Sequence, residues 1–197
     1  PAGHLRMIEA VASANSNTIV VLLCGSAVEC PWADRVKAVL YMGLPGQAGG
    51  EAIADLLYGR INPSGKLAES WPINYEDCAT AAFYGKEKDA IYREGIYVGY
   101  RYYDKYQIPV QFPFGHGLSY TTFSYGDMQV KEPDGQTFKV QIPVTNTGKL
   151  AGKETVELYV GETEVSPENP VKELKGFCKL SLAPGETKYA EFELTAD

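Results

Sequence analysis

The chain changes its pattern of apolar residues part-way along, and this change constrains its fold more than any other feature. Toward the C-terminus, β-branched and apolar residues occur in short runs separated by turn sequences: residues 123–130, 138–145, 155–160, 173–182 and 188–194. Apolar and polar residues alternate in the run at 155–160, as in a half-buried strand. The pattern predicts an antiparallel β-sandwich. Because a sandwich of the immunoglobulin type has about seven strands, it also predicts a domain that continues past the last residue.

The N-terminal part mixes helix and strand signals. Apolar residues recur at a helical spacing between residues 4 and 14, and continuous apolar runs at 18–24 and 38–42 predict buried parallel strands. A short connector at 32–37 lies between those runs, and a Gly-rich turn at 43–50 leads into a predicted helix at 51–58. This order predicts an α/β layered unit. The stretch at 74–114 shows no long periodic run, which favours a connector between two units.

Composition and charge exclude several classes of function. The net charge of −7 disfavours a nucleic-acid partner, since phosphate binding needs a face rich in Lys and Arg. The longest apolar stretch, residues 19–24, is too short to cross a bilayer, so no membrane partner is predicted. We interpret Cys24, Cys30, Cys78 and Cys178 as free thiols because no pair has Cys-x-x-Cys spacing, and we place Cys24 in a buried strand. Free thiols favour a reducing compartment such as the bacterial cytoplasm.

Residues 92–104 form the most unusual segment of the chain. They hold five tyrosines, two arginines and two carboxylates in thirteen residues. Aromatic faces stack on sugar rings while carboxylates and guanidinium groups bind hydroxyls, so the segment has the chemistry of a carbohydrate groove. The same side chains form wet seams between domains, in which carboxylates pair with Arg93 and Arg101. The seam is the simpler interpretation, and a sugar platform is its alternative.

Motifs of nucleophilic, phosphate-binding and metal chemistry are weak. The turn at 43–50 has the spacing G-x-x-G-x-x-G-G and contains Pro45, so we interpret it as a tight backbone turn rather than a dinucleotide fingerprint. There is no G-x-S-x-G elbow. Only two histidines are present, His4 and His116, and the second lies between two glycines as a turn residue. The sequence predicts neither a metal ion nor a cofactor.

Paired carboxylates are the remaining route to catalysis, because glycoside cleavage needs two of them on either side of one bond. Either member can act as a general acid if its pKa is raised. Sequence spacing does not show which carboxylates converge. The candidates are Glu69, Glu76, Asp77, Glu94 and Asp104.

Three motifs in a fixed order give the chain a specific resemblance to a known family. The motifs are residues 61–67 (Ile-Asn-Pro-Ser-Gly-Lys-Leu) with Trp71 and Pro72 after them, residues 94–103 (Glu-Gly-Ile-Tyr-Val-Gly-Tyr-Arg-Tyr-Tyr) and residues 112–120 (Phe-Pro-Phe-Gly-His-Gly-Leu-Ser-Tyr). Together they resemble the C-terminal half of family-3 glycoside hydrolases, the β-glucosidases and their relatives. Residues 144–148, 151–154 and 171–177 resemble the fibronectin type III-like domain of that family.

The resemblance implies a parent enzyme with a (β/α)₈ barrel, an α/β sandwich and a fibronectin-like domain. On this interpretation residues 1–73 are the C-terminal half of the α/β sandwich, 74–118 an interdomain connector, and 119–197 a fibronectin type III-like domain cut before its end. The expected fold class is therefore a partial α/β sandwich followed by an all-β immunoglobulin/fibronectin III-like sandwich.

The resemblance also implies hydrolysis of terminal β-linked sugars with retention, through a covalent intermediate. In the family the nucleophile is an Asp on the barrel, and the acid/base is a Glu in a Gly-Glu-Gly-Tyr-like setting upstream of the motif at 61–67. Neither is found here, and Glu94 aligns with a different block, so no catalytic residue is assigned.

We therefore expect a structural and catalytically silent fragment. Its expected partners are the missing barrel and remaining sandwich, and a β-linked glycoside through the parent, with a second copy of the chain as a further candidate. The alternative is a stand-alone carbohydrate-binding module that uses residues 92–104.

Overall fold

A small parallel sheet with flanking helices makes up the first unit of the structure. The computed structural model describes residues 2–86, 88–133, 135–164, 166 and 168–195. Helix α1 (Ala2–Ala14) leads into strand β1 (Ile19–Leu22), which pairs in parallel with β2 (Ala38–Tyr41) before α2 (Gly49–Leu57) begins. The predicted helices and strands are thus confirmed, with one correction. Strand β1 ends before Cys24, whose side chain is only half-buried.

Trp71 lies at the centre of this unit. Its ring is 1% exposed and packs edge-on against Tyr41 at 5.0 Å and Phe112 at 6.0 Å between ring centroids. Trp71 belongs to the short strand β3 (Trp71–Pro72), which pairs antiparallel with β4 (Val110–Phe112). The two ends of the connector region therefore meet at the core of the α/β unit.

The region at 74–114 contains a regular element that the sequence pattern does not predict. Helix α3 (Tyr100–Tyr106) follows Gly99, whose φ of 61° turns the chain into the helix, and Gln107 closes it with a left-handed φ of 53°. A helix of seven residues is too short to show a 3.6-residue period above its surroundings.

Six strands of the described chain form the second unit, a β-sandwich. Strand β7 (Thr137–Asn146) pairs antiparallel with β10 (Thr187–Thr195) and with two short strands, β5 (Phe123–Tyr125) and β6 (Gln129–Lys131). Strands β8 (Gly152–Val160) and β9 (Glu173–Leu182) pair as a second sheet. The two sheets bury a common core that includes Val144, Val156, Leu182 and Ala190.

The prediction of one strand at 123–130 is wrong, because the chain bends between β5 and β6. The Gly126 backbone N–H donates to the Pro143 carbonyl oxygen at 2.9 Å. A Cβ atom at Gly126 would lie 2.6 Å from Pro143 Cγ, so only glycine fits this bend.

All four cysteines are free, as predicted. Burial raises the pKa of the Cys30 thiol to about 11, and burial also raises the pKa of Cys24 and of Cys178. Thiols of this kind stay protonated at neutral pH and react slowly. Within the described residues, no helix is long and apolar enough to span a bilayer.

Candidate functional site

Helix α3 joins the α/β unit to the β-sandwich through Tyr100. The Tyr100 hydroxyl accepts a hydrogen bond of 2.7 Å from the backbone N–H of Leu174 in β9. Its ring packs edge-on against Tyr159 of β8 at 5.7 Å and lies tilted against Phe114 at 5.2 Å between ring centroids. One tyrosine from the unusual segment thus contacts both strands of the second sheet.

Charged side chains of α3 reach the same part of the sandwich. Arg101 lies 3.4 Å from Glu173, and Asp104 lies 3.3 Å from Lys172. The carboxylate that pairs with Arg101 is thus Glu173 rather than one of the candidates from the sequence, and both ion pairs cross the seam. The arrangement supports the seam interpretation for residues 100–105.

Lys105 extends this seam to the loop between β8 and β9. Its Nζ donates to the carbonyl oxygens of Ser166 at 2.9 Å and Asn169 at 2.8 Å. The Lys105 ammonium also lies 5.7 Å from the centre of the Tyr97 ring, a cation–π distance. The Lys105 ammonium of helix α3 therefore binds two backbone carbonyls of the β-sandwich.

Replacing Tyr100 by Phe tests the contribution of this seam. Because the variant keeps the ring and removes the acceptor of the Leu174 N–H, we expect the free energy of unfolding to fall by about 1 kcal/mol. Tyr92→Phe is the matched control, since Tyr92 is 90% exposed. Urea denaturation of both variants measures the difference, and equal midpoints would contradict a role for the Tyr100 hydroxyl.

The remaining tyrosines of residues 92–104 do not share one surface. Tyr92 is 90% exposed, whereas Tyr97 packs edge-on against Tyr106 at 6.0 Å. Tyr102 and Tyr103 contact each other at 5.4 Å and line a groove of the α/β unit. The five rings therefore point to several different places and form no continuous flat face for a sugar.

The motif at 61–67 forms a second clamp between the units. Asn62 Nδ2 donates to the Ala151 carbonyl at 3.0 Å, while Asn62 Oδ1 accepts from Ser119 Oγ at 2.9 Å and from the Tyr120 N–H at 2.8 Å. On the β-sandwich, Lys179 Nζ donates to the Ser64 carbonyl at 2.8 Å. The turn thus holds three separate segments of chain.

Lys66 is the charged centre of this second clamp. Its Nζ donates to the Gly117 carbonyl at 2.8 Å and lies 3.3 Å from Glu154 Oε2, with the two side chains 18% and 12% exposed. Glu154 Oε1 in turn accepts from the Tyr125 hydroxyl at 2.9 Å. Burial and this bond to Glu154 raise the pKa of Tyr125.

His116 lies beside the same cation. Its ring stacks on Phe112 at 5.2 Å, and its backbone carbonyl accepts from the Leu67 N–H at 2.8 Å. Burial and the nearby Lys66 lower the pKa of His116, so the imidazole is neutral at physiological pH. His116 is therefore a turn residue at the clamp, as predicted from its flanking glycines.

An open groove of about 1250 Å³ runs between α1, β1 and residues 69–103. Glu69 and Glu94 both line it, with Glu29 as the third carboxylate. The other acidic candidates lie elsewhere. Asp77 accepts from the backbone and side-chain nitrogens of Asn74 at 3.0 and 3.2 Å, and Glu76 is exposed.

The structure therefore separates most of the candidate carboxylates by role. Asp104 holds the seam and Asp77 caps a short 3₁₀ turn, while Glu69 and Glu94 share a groove with apolar walls. In the part of the chain that the structure describes, no three His, Cys, Asp or Glu side chains are grouped to hold a metal ion.

The sequence does not predict the ion pair of Lys66 and Glu154. No local pattern marks two residues as partners when 88 positions separate them.

Comparison with known proteins identifies the family. Residues 1–100 match the family model described as the glycosyl hydrolase family 3 C-terminal domain. The chain belongs to this family. Residues 154–197 match a fibronectin type III-like domain, so the predicted fold class of the family-3 chain is confirmed.

Relatives of this family-3 chain are β-glucosidases. Thermostable beta-glucosidase B of Acetivibrio thermocellus is 50% identical over 98% of the chain, which spans 26% of that protein. Beta-glucosidase 3B of Thermotoga neapolitana, solved in complex with glucose, superimposes with a TM-score of 0.89 at 41% identity, covering 96% of this chain and 28% of that one. The family 3 β-glucosidase of Bifidobacterium adolescentis gives a TM-score of 0.92 at 43% identity, covering 98% and 29%. The chain thus spans about a quarter of the length of these relatives.

Proposed function

We propose that the chain is the C-terminal part of a retaining β-glucosidase-type enzyme, in which it has a structural role. The observation that carries this is the match of β-glucosidases over nearly the whole chain, which spans only 26–29% of their own lengths. Within the proposed enzyme, residues 1–73 contribute to the α/β sandwich, 74–118 connect, and 119–197 form the fibronectin type III-like domain. The substrate is a terminal β-linked glucoside or similar sugar.

The carboxylates support the structural role. A retaining mechanism needs two of them about 5–5.5 Å apart, flanking the scissile glycosidic bond. Asp77 and Asp104 are engaged in structural contacts, and Glu69 and Glu94 lie in a groove whose walls are mostly apolar. We assign no catalytic residue to the chain and place both catalytic carboxylates, with the barrel, in the rest of the enzyme.

Activity measurements test this proposal. The chain alone is expected to release no nitrophenol from a nitrophenyl β-glucoside above the buffer rate, whereas the longer polypeptide is expected to hydrolyse it. Hydrolysis by the chain alone that Glu94→Gln or Glu69→Gln abolishes would overturn the structural role. Calorimetry with cellobiose separates the alternative, because submillimolar binding by the chain alone would make it a carbohydrate-binding module.

A further inference from the structure

The outer face of the larger sheet in the β-sandwich carries a regular pattern of polar side chains. Strand β7 lies between β6 and β10, and its register places residues of the three strands in rows across the sheet. Val140 and Ala190 are buried in the sandwich core, so the residues that alternate with them point outward. The outward side chains form two complete rows, one of Gln129, Gln141 and Glu191 and one of Lys131, Lys139 and Glu193.

These two rows border an open groove of about 380 Å³. Gln141 Nε2 donates to Glu191 Oε1 at 2.6 Å, and Lys139 Nζ lies 3.9 Å from Glu193 Oε2. The groove therefore offers ammonium and amide donors beside carboxylate acceptors, and the positive and negative charges of the two rows balance. Hydroxyl groups can bind to both kinds of partner, because each hydroxyl donates and accepts.

An exposed tyrosine lies next to the groove on the same face. Tyr189 precedes Glu191 by two residues on β10, so its side chain also points outward, and it is 53% exposed. Its partner in the register is Pro143 of β7. An aromatic face can stack on the C–H surface of a sugar while neighbouring charged groups bind the hydroxyls. The face thus combines one stacking ring with two rows of hydrogen-bonding groups.

The cross-strand pair of Lys131 and Lys139 is unfavourable for the sandwich by itself. The two residues lie directly opposite each other in the register, and like charges at such positions repel. Glu193 lies near Lys139, whereas no ion pair or side-chain hydrogen bond involves Lys131 among the residues that the structure describes. A local conflict of this kind is expected where a residue serves binding rather than stability. Oxygen atoms of a bound molecule would accept from the Lys131 ammonium and stabilise the pair.

The charges of the face favour a neutral ligand with many hydroxyls. A polyanion would be repelled by Glu191 and Glu193, which lie beside the two lysines. A protein partner would bury charged groups at the centre of the contact, where protein interfaces are depleted in charge. An oligosaccharide chain meets neither obstacle.

We propose that this face binds a chain of β-linked glucose units. Tyr189 stacks on one sugar, and the rows that contain Gln141 and Lys139 bind the hydroxyls of the sugars that follow. Because residues two apart on a strand are separated by about 7 Å, these three rows extend over about 14 Å. Each row contacts only part of the ligand, so a disaccharide is expected to bind with a Kd above about 1 mM and a polymer more tightly. This inference rests on the proposed function only for the class of sugar, and it uses residues other than 92–104.

Affinity electrophoresis tests the inference, with the longer polypeptide run in gels that contain a soluble mixed-linkage β-glucan. We expect the glucan to retard the wild type and Tyr189→Ala to weaken this binding about tenfold. Tyr189→Phe keeps the ring and is expected to bind as the wild type does. Tyr92→Ala is the matched control, since Tyr92 is 90% exposed and lies in the other tyrosine-rich segment. Equal retardation of the wild type and Tyr189→Ala would overturn the inference, and so would a loss of binding in Tyr92→Ala alone.

Replacing Lys131 by Ala separates binding from folding. We expect Lys131→Ala to bind the glucan about threefold more weakly, because one charged donor is lost. Removal of the like-charge pair is expected to keep the urea midpoint at or above the wild-type value. Lys149→Ala, at an exposed position in the loop before β8, is expected to change neither quantity. Unchanged glucan binding by Lys131→Ala would contradict the role of its row. Hydrolysis of a nitrophenyl β-glucoside by the same samples would show that the proposed function stands even where the glucan site fails.

Discussion

Gly117→Ala is expected to lower the free energy of unfolding of the chain by about 3 kcal/mol. A Cβ atom at this position would overlap the carbonyl oxygen of Gly65 and lie 3.0 Å from Lys66 Cδ. The main obstacle is backbone of the opposing turn rather than the tip of a flexible side chain. Relief requires the two turns to separate, and separation would lengthen the bond from Lys66 to the Gly117 carbonyl.

Gly65→Ala is the matched control, because it adds the same methyl group to the facing turn. No atom lies within 4 Å of a Cβ placed there. Urea denaturation followed by the fluorescence of Trp32 and Trp71 measures both variants, since both indoles lie in the core of the α/β unit. If Gly117→Ala unfolds at the same urea concentration as Gly65→Ala, the close packing of the two turns is contradicted.

Lys66→Met is expected to cost about 2 kcal/mol, somewhat less than the roughly 3–5 kcal/mol for breaking a fully buried ion pair. Methionine keeps most of the aliphatic stem but leaves the Glu154 carboxylate, 12% exposed, without its cation. The Gly117 carbonyl loses its donor in the same change. We expect the second clamp, formed by residues 61–67, to open first. Limited proteolysis near residues 115–122 would detect this opening as earlier cleavage.

Two further variants distinguish the loss of the Lys66–Glu154 ion pair from the general effect of removing one positive charge. Lys175→Met removes an ammonium 3.1 Å from Glu173, but those side chains are 47% and 37% exposed, so the expected cost is below about 1 kcal/mol. Glu154→Gln in the Lys66→Met background is expected to recover part of the loss, because it removes the uncompensated charge. A double variant as unstable as Lys66→Met alone would contradict the ion-pair explanation.

The sequence predicts local elements well where a period has room to repeat. The helix at residues 4–14 recurs in the structure as part of α1, whose partly buried Ile8 packs against the core of the α/β unit. The alternation at 155–160 recurs as part of β8, where Val156 is buried. Helix α3 is too short for such a signal. The bend after Tyr125 depends on the position of Pro143 in another strand, which no window around residue 126 contains.

Contacts between the α/β unit and the β-sandwich cannot be predicted from local sequence patterns either, because the two partners lie far apart in the chain. Lys179 donates to a carbonyl 115 positions earlier, and Tyr100 accepts from a residue 74 positions later. The composition of residues 92–104 indicates correctly that a polar seam is possible. Only the fold decides that Tyr100 lies in the seam while Tyr92 faces solvent.

The position of Lys105 has a consequence for how such enzymes can exchange domains during evolution. Within the loop between β8 and β9, Glu162 accepts from the Ser166 N–H and from Asn169 Nδ2, and the Ser166 carbonyl accepts from the Asn169 N–H. Lys105 of the other unit donates to the same Ser166 carbonyl and to the Asn169 carbonyl. A fibronectin-like sandwich transplanted by itself would lose that support. We therefore expect the loop to keep this geometry only in a sandwich that is accompanied by the short helix α3.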